Sequence, residues 1–364
     1  MQQKKLVFEN GSVFYGTGFG ADVQRICEVV FNTSMVGYQE IFSDCSYCGQ
    51  FVCMTYPLIG NYGMAEEDYE SRQPHIGGMI VREYNDSTAN FRAVKTLGEE
   101  MEECGIPGIQ GVDTRKITRM IRSTGSMQAL LCNADFSDEE AKTLLQNNQP
   151  PTNQVQQVST RKRWHMRTAN AGFSVVTIDY GIKLGILHSL AALGCNLTVL
   201  PYNTTAEEVL RLAPDGLLLS NGPGDPQNVP EGIALVQQLQ GKLPIMGVCL
   251  GHQLIALANG CKTYKLLFGH RGGNHPVQCL TTGQIEMTSQ NHSFAVEAES
   301  VKNTGLEVTH VNLLDNTVEG LANKKKMLFS VQYHPESNPG PQDSAYLFQQ
   351  FVNTMQRFKE AGVR

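Results

Sequence analysis

Residues 173–248 alternate short apolar segments with amphipathic ones, and this pattern restricts the possible folds more than any other feature. The apolar segments predict strands at 173–179, 195–200, 216–219 and 244–248, separated by predicted helices at 182–193, 206–212 and 230–240. Such alternation with short connections produces right-handed crossovers. We therefore expect an α/β domain with a doubly wound parallel sheet, whose functional site lies at the carboxyl ends of the strands.

The last of these strands runs into the sequence Gly247-Val248-Cys249-Leu250-Gly251, which opens another predicted helix. Small residues two before and two after Cys249 permit a strained turn from strand to helix. The thiol would then project above the sheet, beside helix-terminal N–H groups that stabilise a thiolate and an oxyanion. Glycines at strand-to-helix junctions also serve packing, so a nucleophile needs a base to support it.

A candidate base lies at the end of another apolar segment, where His334 is followed by Pro335 and Glu336. An imidazole can take the thiol proton and return it to a leaving group. A carboxylate on the other ring nitrogen fixes the tautomer and supports the charged form. Cys249, His334 and Glu336 are therefore the candidate catalytic residues.

The loop Ser220-Asn221-Gly222-Pro223-Gly224 follows a different predicted strand, also at its carboxyl end. Its glycines let backbone approach a ligand closely, although such a sequence is often only a turn. Neither the Gly-rich dinucleotide fingerprint nor the phosphate-binding loop motif occurs in the chain, so the sequence gives no support for nucleotide binding.

Composition narrows the class of protein. The 364 residues are 41% hydrophobic and 18% charged, which suits about two soluble domains. The formal net charge of −6 argues against a nucleic-acid partner. No apolar run reaches the ~20 residues of a membrane span, and Glu9 and Asn10 interrupt any signal-peptide core. We expect a cytoplasmic protein without a membrane partner.

The character of the chain changes near residue 150. Short alternating runs and two predicted helices, at 113–122 and 138–145, indicate a mixed, strand-rich α/β domain over residues 1–150. Residues 151–171 are interpreted as a linker, including the basic run 161–165, and residues 172–364 as the second domain. Cys45, Cys48 and Cys53 form a local cluster, but no second ligand pair accompanies them, so no metal is expected.

Together these motifs resemble the class I, triad-type glutamine amidotransferases. The N-terminal segments 28–40, 55–63 and 105–115, and the segment 268–277, resemble the small, glutamine-hydrolysing subunit of carbamoyl-phosphate synthetase. The likeness covers essentially the whole chain. It implies an enzyme that hydrolyses glutamine to glutamate and ammonia and passes the ammonia to a large synthetase subunit. That subunit would bind ATP and Mg and make carbamoyl phosphate for pyrimidine and arginine synthesis, and this chain would carry no cofactor.

The resemblance also implies which residues bind L-glutamine. Ser46, from the N-terminal domain, would place the site at a domain interface. Ser293 stands where the family usually has glycine, which puts a close backbone approach or a positive φ there in doubt. The other implied contacts are Gly222, Gly224, Leu250, Gln253, Asn291 and Phe294.

Three histidines are not assigned to catalysis. His252 follows the nucleophile by three residues on the same helix, where the elbow directs it away from the thiol. His270 and His275 flank glycines and are interpreted as structural or interfacial. Three other functions stay open: an amidotransferase of anthranilate or GMP synthesis, a stand-alone cysteine peptidase or hydrolase, and an inactive binding or regulatory subunit.

Overall fold

A computed structural model describes residues 2–362 and divides them into two units. The division falls between Pro151 and Thr152, and the short segment Leu267–Arg271 belongs with the first unit. The ends of the two expected domains, at Met1 and Arg364, lie outside the described residues.

The first unit is built around a closed barrel. Its strands are β1 (Gln3–Phe8), β2 (Val13–Gly20), β3 (Arg25–Asn32), β4 (Gln50–Met54), β5 (Leu58–Ile59), β6 (Gly78–Ile80), β7 (Glu83–Tyr84), β8 (Pro107–Gln110) and β9 (Met127–Asn133). Seven of them close in the order β1, β2, β8, β6, β4, β3, β9, and β5 pairs separately with β7. Closure leaves no unpaired edge on the barrel strands.

Four helices cover this barrel: α1 (Tyr38–Ser43), α2 (Leu97–Glu103), α3 (Thr114–Thr124) and α4 (Asp138–Asn147). Strand alternation distributes the apolar side chains to both faces. On β1, Leu6 and Phe8 join one buried cluster, which includes Ile117 of α3, while Val7 joins another with Leu145 of α4. The unit is mixed and strand-rich, as predicted.

The second unit contains one ten-stranded sheet. Its strands are β10 (Trp164–Met166), β11 (Phe173–Asp179), β12 (Cys195–Pro201), β13 (Gly216–Leu219), β14 (Ile245–Val248), β15 (Thr263–Cys279), β16 (Ile285–Val296), β17 (Glu307–Asn312), β18 (Val318–Asn323) and β19 (Leu328–Val331). The order across the sheet is β10, β12, β11, β13, β14, β19, β18, β16, β15, β17.

Five neighbouring strands of this sheet, β12, β11, β13, β14 and β19, run parallel. Their order follows a doubly wound topology, which confirms the predicted fold class. Strand β18 pairs antiparallel with β19 and begins an antiparallel extension, so the whole sheet is mixed. The carboxyl ends of β11, β13, β14 and β19 meet at one edge, which is where the candidate residues lie.

The helices of this unit are α5 (Gln154–Val158), α6 (Leu184–Ala192), α7 (Ala206–Arg211), α8 (Pro230–Leu239), α9 (Leu250–Ala258) and α10 (Tyr346–Glu360). They form a buried cluster on each face of the parallel strands. One cluster includes residues of α8 and α9, and the other includes residues of α6 and α10. Helix α9 is buried along nearly its whole length, which fixes the residues at its start.

The interpretation of residues 151–171 as a linker is wrong in part. They contain α5 and β10, and β10 adds to the sheet by pairing antiparallel with β12 from Trp164 to Met166. Val155 of α5 packs into the core of the second unit. Both elements are too short to show a periodicity in sequence, and their partners are distant in the chain. Among residues 2–362, no helix has both the length and the apolar character that a membrane crossing requires.

Candidate active site

Cys249 occupies the turn between β14 and α9 in a strained backbone conformation, with φ 52° and ψ −102°. The flanking glycines explain how the turn fits. A β-carbon at Gly251 would lie 2.3 Å from the carbonyl oxygen of Leu219, and one at Gly247 would lie 2.8 Å from that of Gly251. Larger residues would push the helix off the sheet. The predicted strand-to-helix elbow therefore has a steric cause.

The elbow directs the Cys249 thiol towards β16, where it donates to the carbonyl oxygen of Asn291 at a distance of 3.6 Å. The backbone N–H of Cys249 donates to Val331 at the end of β19, which ties the turn to the neighbouring strand. Leu250 is the first residue of α9, and the N–H groups of a first turn have no acceptor within the helix. Among them, the N–H of Gly251 donates to the carbonyl oxygen of Ser220, and the N–H of Leu250 is the candidate donor to an oxyanion.

His334 and Glu336 follow β19 and form a buried pair in which Nδ1 of the ring lies 2.8 Å from Oε1 of the carboxylate. The backbone N–H of His334 donates to the carbonyl of Ser289 on β16. Because Nδ1 donates to the carboxylate, the neutral ring has its lone pair on Nε2. Among residues 2–362 the thiol donates to Asn291 rather than to Nε2, although it lies close enough to the ring to affect its pKa.

The electrostatics of this pair favour its charged form. Burial alone would lower the pKa of His334, but Glu336 and the nearby Cys249 thiol raise it above its ordinary value. Burial would raise the pKa of Glu336, yet Lys183 and His334 hold it well below its ordinary range. The carboxylate is therefore ionised at neutral pH and stabilises an imidazolium, which is the state that a thiolate requires.

Lys183 is a site residue that sequence reasoning missed. Its ammonium is buried, lies 2.8 Å from Oε1 of Glu336, and donates to the carbonyl oxygens of Ser337 and Asn338. These three acceptors satisfy all three hydrogens of the ammonium. The available signal was its position just after the carboxyl end of β11, where polar residues of such sheets gather.

The loop after β13 lies beside the start of α9. A β-carbon at Gly222 would lie 2.8 Å from the Leu250 side chain and 2.3 Å from the carbonyl oxygen of Tyr180, so only glycine fits. Asn221 donates to Gly181 and accepts from the N–H of Lys183, which fastens the loop to the segment after β11. Gly224 is exposed and has φ +86°, a conformation that glycine adopts readily.

The remaining predicted contacts of this unit cluster around Gln253 and β16. Gln253 lies one turn beyond Cys249 and donates from Nε2 to the carbonyl oxygen of Phe294 at 2.9 Å. Asn291 faces the thiol through its carbonyl oxygen. Ser293 lies within β16, outside the residues with positive φ, so a side chain there causes no backbone strain.

Ser46 lies in the first unit, on a short 3-10 helix at Cys45–Tyr47. It is buried, and its backbone N–H donates to Oδ1 of Asp44. Cys45, Cys48 and Cys53 are also buried, and burial raises the pKa of Cys48 to about 11 and that of Cys53 to about 12. At neutral pH the thiols of Cys48 and Cys53 are therefore protonated.

His252 is completely buried on α9, and its Nδ1 lies 2.9 Å from the hydroxyl of Ser330 on β19. Burial lowers its pKa to about 3, with a further contribution from His310. The ring is therefore neutral and bound to β19. His270 and His275 both lie on β15, His270 in the part assigned to the first unit and His275 in the part assigned to the second.

Comparison with known proteins follows the same division of the chain. Residues 6–131 match the family model of the carbamoyl-phosphate synthase small chain, CPSase domain, and residues 176–354 match class-I glutamine amidotransferase. A carbamoyl phosphate synthase small chain of Bacillus cereus is 51% identical, over 99% of this chain and 98% of its own length. This chain belongs to the carbamoyl-phosphate synthase small-chain family.

Other members of the family agree with this assignment. The small chain of Fusobacterium nucleatum is 50% identical over 98% of this chain and 99% of its own length. A pyrimidine-specific small chain of Halalkalibacterium halodurans is 52% identical over 98% of both. The resemblance inferred from the motifs, and the assignment to a glutamine-hydrolysing enzyme of the amidotransferase type, are confirmed.

Proposed function

We propose that this carbamoyl-phosphate synthase small chain hydrolyses L-glutamine through a thioester on Cys249. The observation that carries the proposal is the strained elbow at Cys249 beside the buried pair of His334 and Glu336, to which Lys183 is joined. A thiol on a strained turn, a base held in one tautomer and an ionised carboxylate are groups that acyl transfer uses.

In the first step, His334 takes the proton of Cys249 and the thiolate attacks the side-chain amide carbon of glutamine. The negative charge that develops on the carbonyl oxygen is held by the N–H of Leu250 and one from the loop Gly222–Gly224. The imidazolium then gives its proton to the amide nitrogen, which leaves as ammonia. A γ-glutamyl thioester remains on Cys249.

In the second step, water attacks the thioester. His334 removes a proton from the water and returns it to the sulfur as glutamate leaves, so the enzyme is restored. Glu336 holds the ring in one orientation during both steps. Gln253, Asn291, Ser293 and Phe294 would hold the substrate, together with Ser46 of the first unit, and Gly224 would support the loop that contacts it.

We further propose that the ammonia passes to the large chain of the synthase, in a cytoplasmic heterodimer or larger hetero-oligomer. The large chain would bind ATP and Mg and use bicarbonate to make carbamoyl phosphate for pyrimidines and arginine. This chain would need no metal or cofactor and would contact neither nucleic acid nor membrane. Its net charge of −6 supports the expectation that nucleic acid is not a partner.

The test is to compare two nitrogen sources in the complex of both chains. Cys249→Ala should abolish carbamoyl phosphate synthesis from glutamine and leave synthesis from ammonia intact, because only the first needs the thiol. Cys261→Ala, which alters another buried cysteine of the same unit, is the matched control and should keep both. Glutamine use retained by Cys249→Ala would refute the mechanism.

The same preparations separate the other functions. Complementation of an anthranilate or GMP synthetase, rather than of a carbamoyl-phosphate synthase large chain, would identify a different amidotransferase. Cleavage of peptides by the isolated chain would favour a peptidase. We expect slow glutamine hydrolysis by the isolated chain and faster hydrolysis in the complex, since closure of such sites commonly depends on the partner.

A further inference from the structure

Gln332 lies two residues before His334, in the segment that follows β19, and its side chain contacts α9. Its side chain is completely buried, and its Oε1 lies 3.0 Å from Nε2 of Gln253. Ser330, two residues earlier, contacts His252 in the same way. Alternate residues of an extended segment lie on one face. This face therefore touches α9 at two successive points and then presents the catalytic base.

The contacts determine how both amide groups are oriented. Phe294 offers a backbone carbonyl, which can only accept, so the atom of Gln253 that lies 2.9 Å from it must be the nitrogen. The second contact of that nitrogen is with Gln332, whose contacting atom must then be the oxygen. The protein thus uses both hydrogens of the Gln253 amide. Only the oxygen of Gln253 remains for a substrate.

We propose that Gln332 is a positioning residue that, together with the carbonyl of Phe294, holds the Gln253 amide so that it offers an acceptor, rather than a donor, to the substrate. The thiol of Cys249 donates to Asn291 and the amide of Gln253 donates to Phe294, so both side chains face β16. An acceptor at this place selects the α-ammonium of glutamine and disfavours a carboxylate. The inference rests on the proposed glutaminase function and refines it, because it identifies what holds the amino end of the substrate.

A second observation supports a role beyond packing. Nε2 of Gln332 has no hydrogen-bond partner among residues 2–362, although the side chain is fully buried. An unpaired buried amide destabilises a fold, and an apolar side chain of the same size would remove that cost. What an apolar side chain could not supply is the acceptor for Gln253. The amide of Gln332 therefore supplies the second of the two hydrogen bonds that hold Gln253 in this orientation.

The experiment uses the complex of both chains and two substrates, glutamine and glutaramate, which is the same molecule without the α-ammonium. Gln332→Met removes the acceptor at similar size, and Gln332→Glu keeps it. We expect Gln332→Met to raise the KM for glutamine by about 10- to 100-fold, the range for a lost hydrogen bond to a charged group, with kcat nearly unchanged. The KM for glutaramate should not change.

Gln332→Glu should restore the preference for glutamine over glutaramate, and Ser330→Ala, a control on the same segment, should keep it. Gln332→Asn, which is polar but too short to reach Gln253, replaces the methionine variant if that variant does not fold. Equal losses on both substrates, a loss confined to kcat, or no loss at all would overturn the inference. A wild-type complex unable to hydrolyse glutamine would instead refute the proposed function itself.

Discussion

His334 and His252 are both buried against the start of α9, yet their surroundings move their pKa values in opposite directions. Burial and, to a smaller extent, His310 lower the pKa of His252 to about 3, and the contact with Ser330 opposes this only in part. Burial would also lower the pKa of His334, but the ionised Glu336 more than compensates and raises it. The charged form of a buried histidine is favoured where an ionised carboxylate accompanies it.

The carboxylate depends in turn on a cation. Glu336 is itself buried, and Lys183 is the first of the groups that lower its pKa. A buried carboxylate without such a partner would bind a proton and cease to support the imidazolium. His334 is therefore accompanied by Glu336 and Lys183, whereas His252 lies against the hydroxyl of Ser330 and is influenced by His310. The variants Glu336→Gln and Lys183→Met each remove one of the two charges that distinguish His334.

The largest contrast is expected from the same substitution made at both histidines. Asparagine can keep the hydrogen bond of Nδ1 in each case but has no counterpart of Nε2. His334→Asn should lower glutamine-dependent synthesis by about 10⁴-fold or more, as loss of a triad member does. His252→Asn should keep it within a few-fold. Steady-state assays with glutamine and with ammonia measure both.

Synthesis from ammonia serves as the control, since neither histidine takes part in it. A large loss in both histidine variants would mean that the region is sensitive to any substitution. Activity retained by His334→Asn would assign the base to another residue.

A smaller but still large loss is expected when the carboxylate is neutralised. Glu336→Gln keeps the size of the side chain and removes the charge that raises the pKa of His334. We expect kcat for glutamine to fall by roughly a thousandfold, within the range for general acid–base catalysis. The KM should change little, because Glu336 is not expected to contact substrate. An equal rise in KM would point to a disturbed binding site instead.

The elbow and the parallel strands could be predicted because their causes are local. Gly247 and Gly251 are needed by the turn itself, and the parallel strands carry continuous apolar segments. His334 and Glu336 could be paired with Cys249 because all three follow predicted strands, whose carboxyl ends share one edge. The candidate catalytic residues at that edge could therefore be proposed from the sequence alone.

Other features depend on contacts between distant parts of the chain and left no local signal. Lys183 is separated from Glu336 by most of the second unit, and its role appears only when β11 and β19 share a sheet. The role of Gln332 could not be predicted for the same reason, since its partner Gln253 precedes it by 79 residues. Strand β10 has three residues and cannot show alternation, so its pairing with β12 was invisible.

Removal of Lys183 should have an intermediate effect on activity and a distinct effect on its pH dependence. Lys183→Met should destabilise the protein by about 3 kcal/mol or more, the usual cost of breaking a buried ion pair. It also removes the first cause that lowers the pKa of Glu336. The acid limb of kcat for glutamine should therefore move to higher pH. Unfolding curves and a pH–rate profile measure the two effects.

The acid limb moves to higher pH because the ionised form of Glu336 is the one that supports catalysis. A carboxylate with a lowered pKa contributes stability above its ordinary pKa of about 4.5, and this is lost as the pH falls towards its folded value. Without Lys183 the loss begins at higher pH. Lys242→Met, at an exposed lysine of the same unit, should leave the profile unchanged. An unchanged acid limb in Lys183→Met would show that Lys183 does not govern the charge of Glu336.

The smallest expected effect is the contribution of His252 to the pH dependence of stability. It tests directly whether His252, unlike His334, is held neutral. Its ring is neutral in the folded protein with a pKa of about 3, whereas an unfolded histidine binds a proton near pH 6.5. Acid therefore favours the unfolded chain, and the stability from this residue is lost as the pH falls from 6.5 towards 3. Between pH 7.5 and 5 the stability lost through this residue amounts to about 2 kcal/mol.

His252→Asn should remove this loss, so the variant should lose less stability than the wild type over that interval. Urea unfolding at the two pH values measures this difference, and equal losses in both proteins would show that His252 is not held neutral.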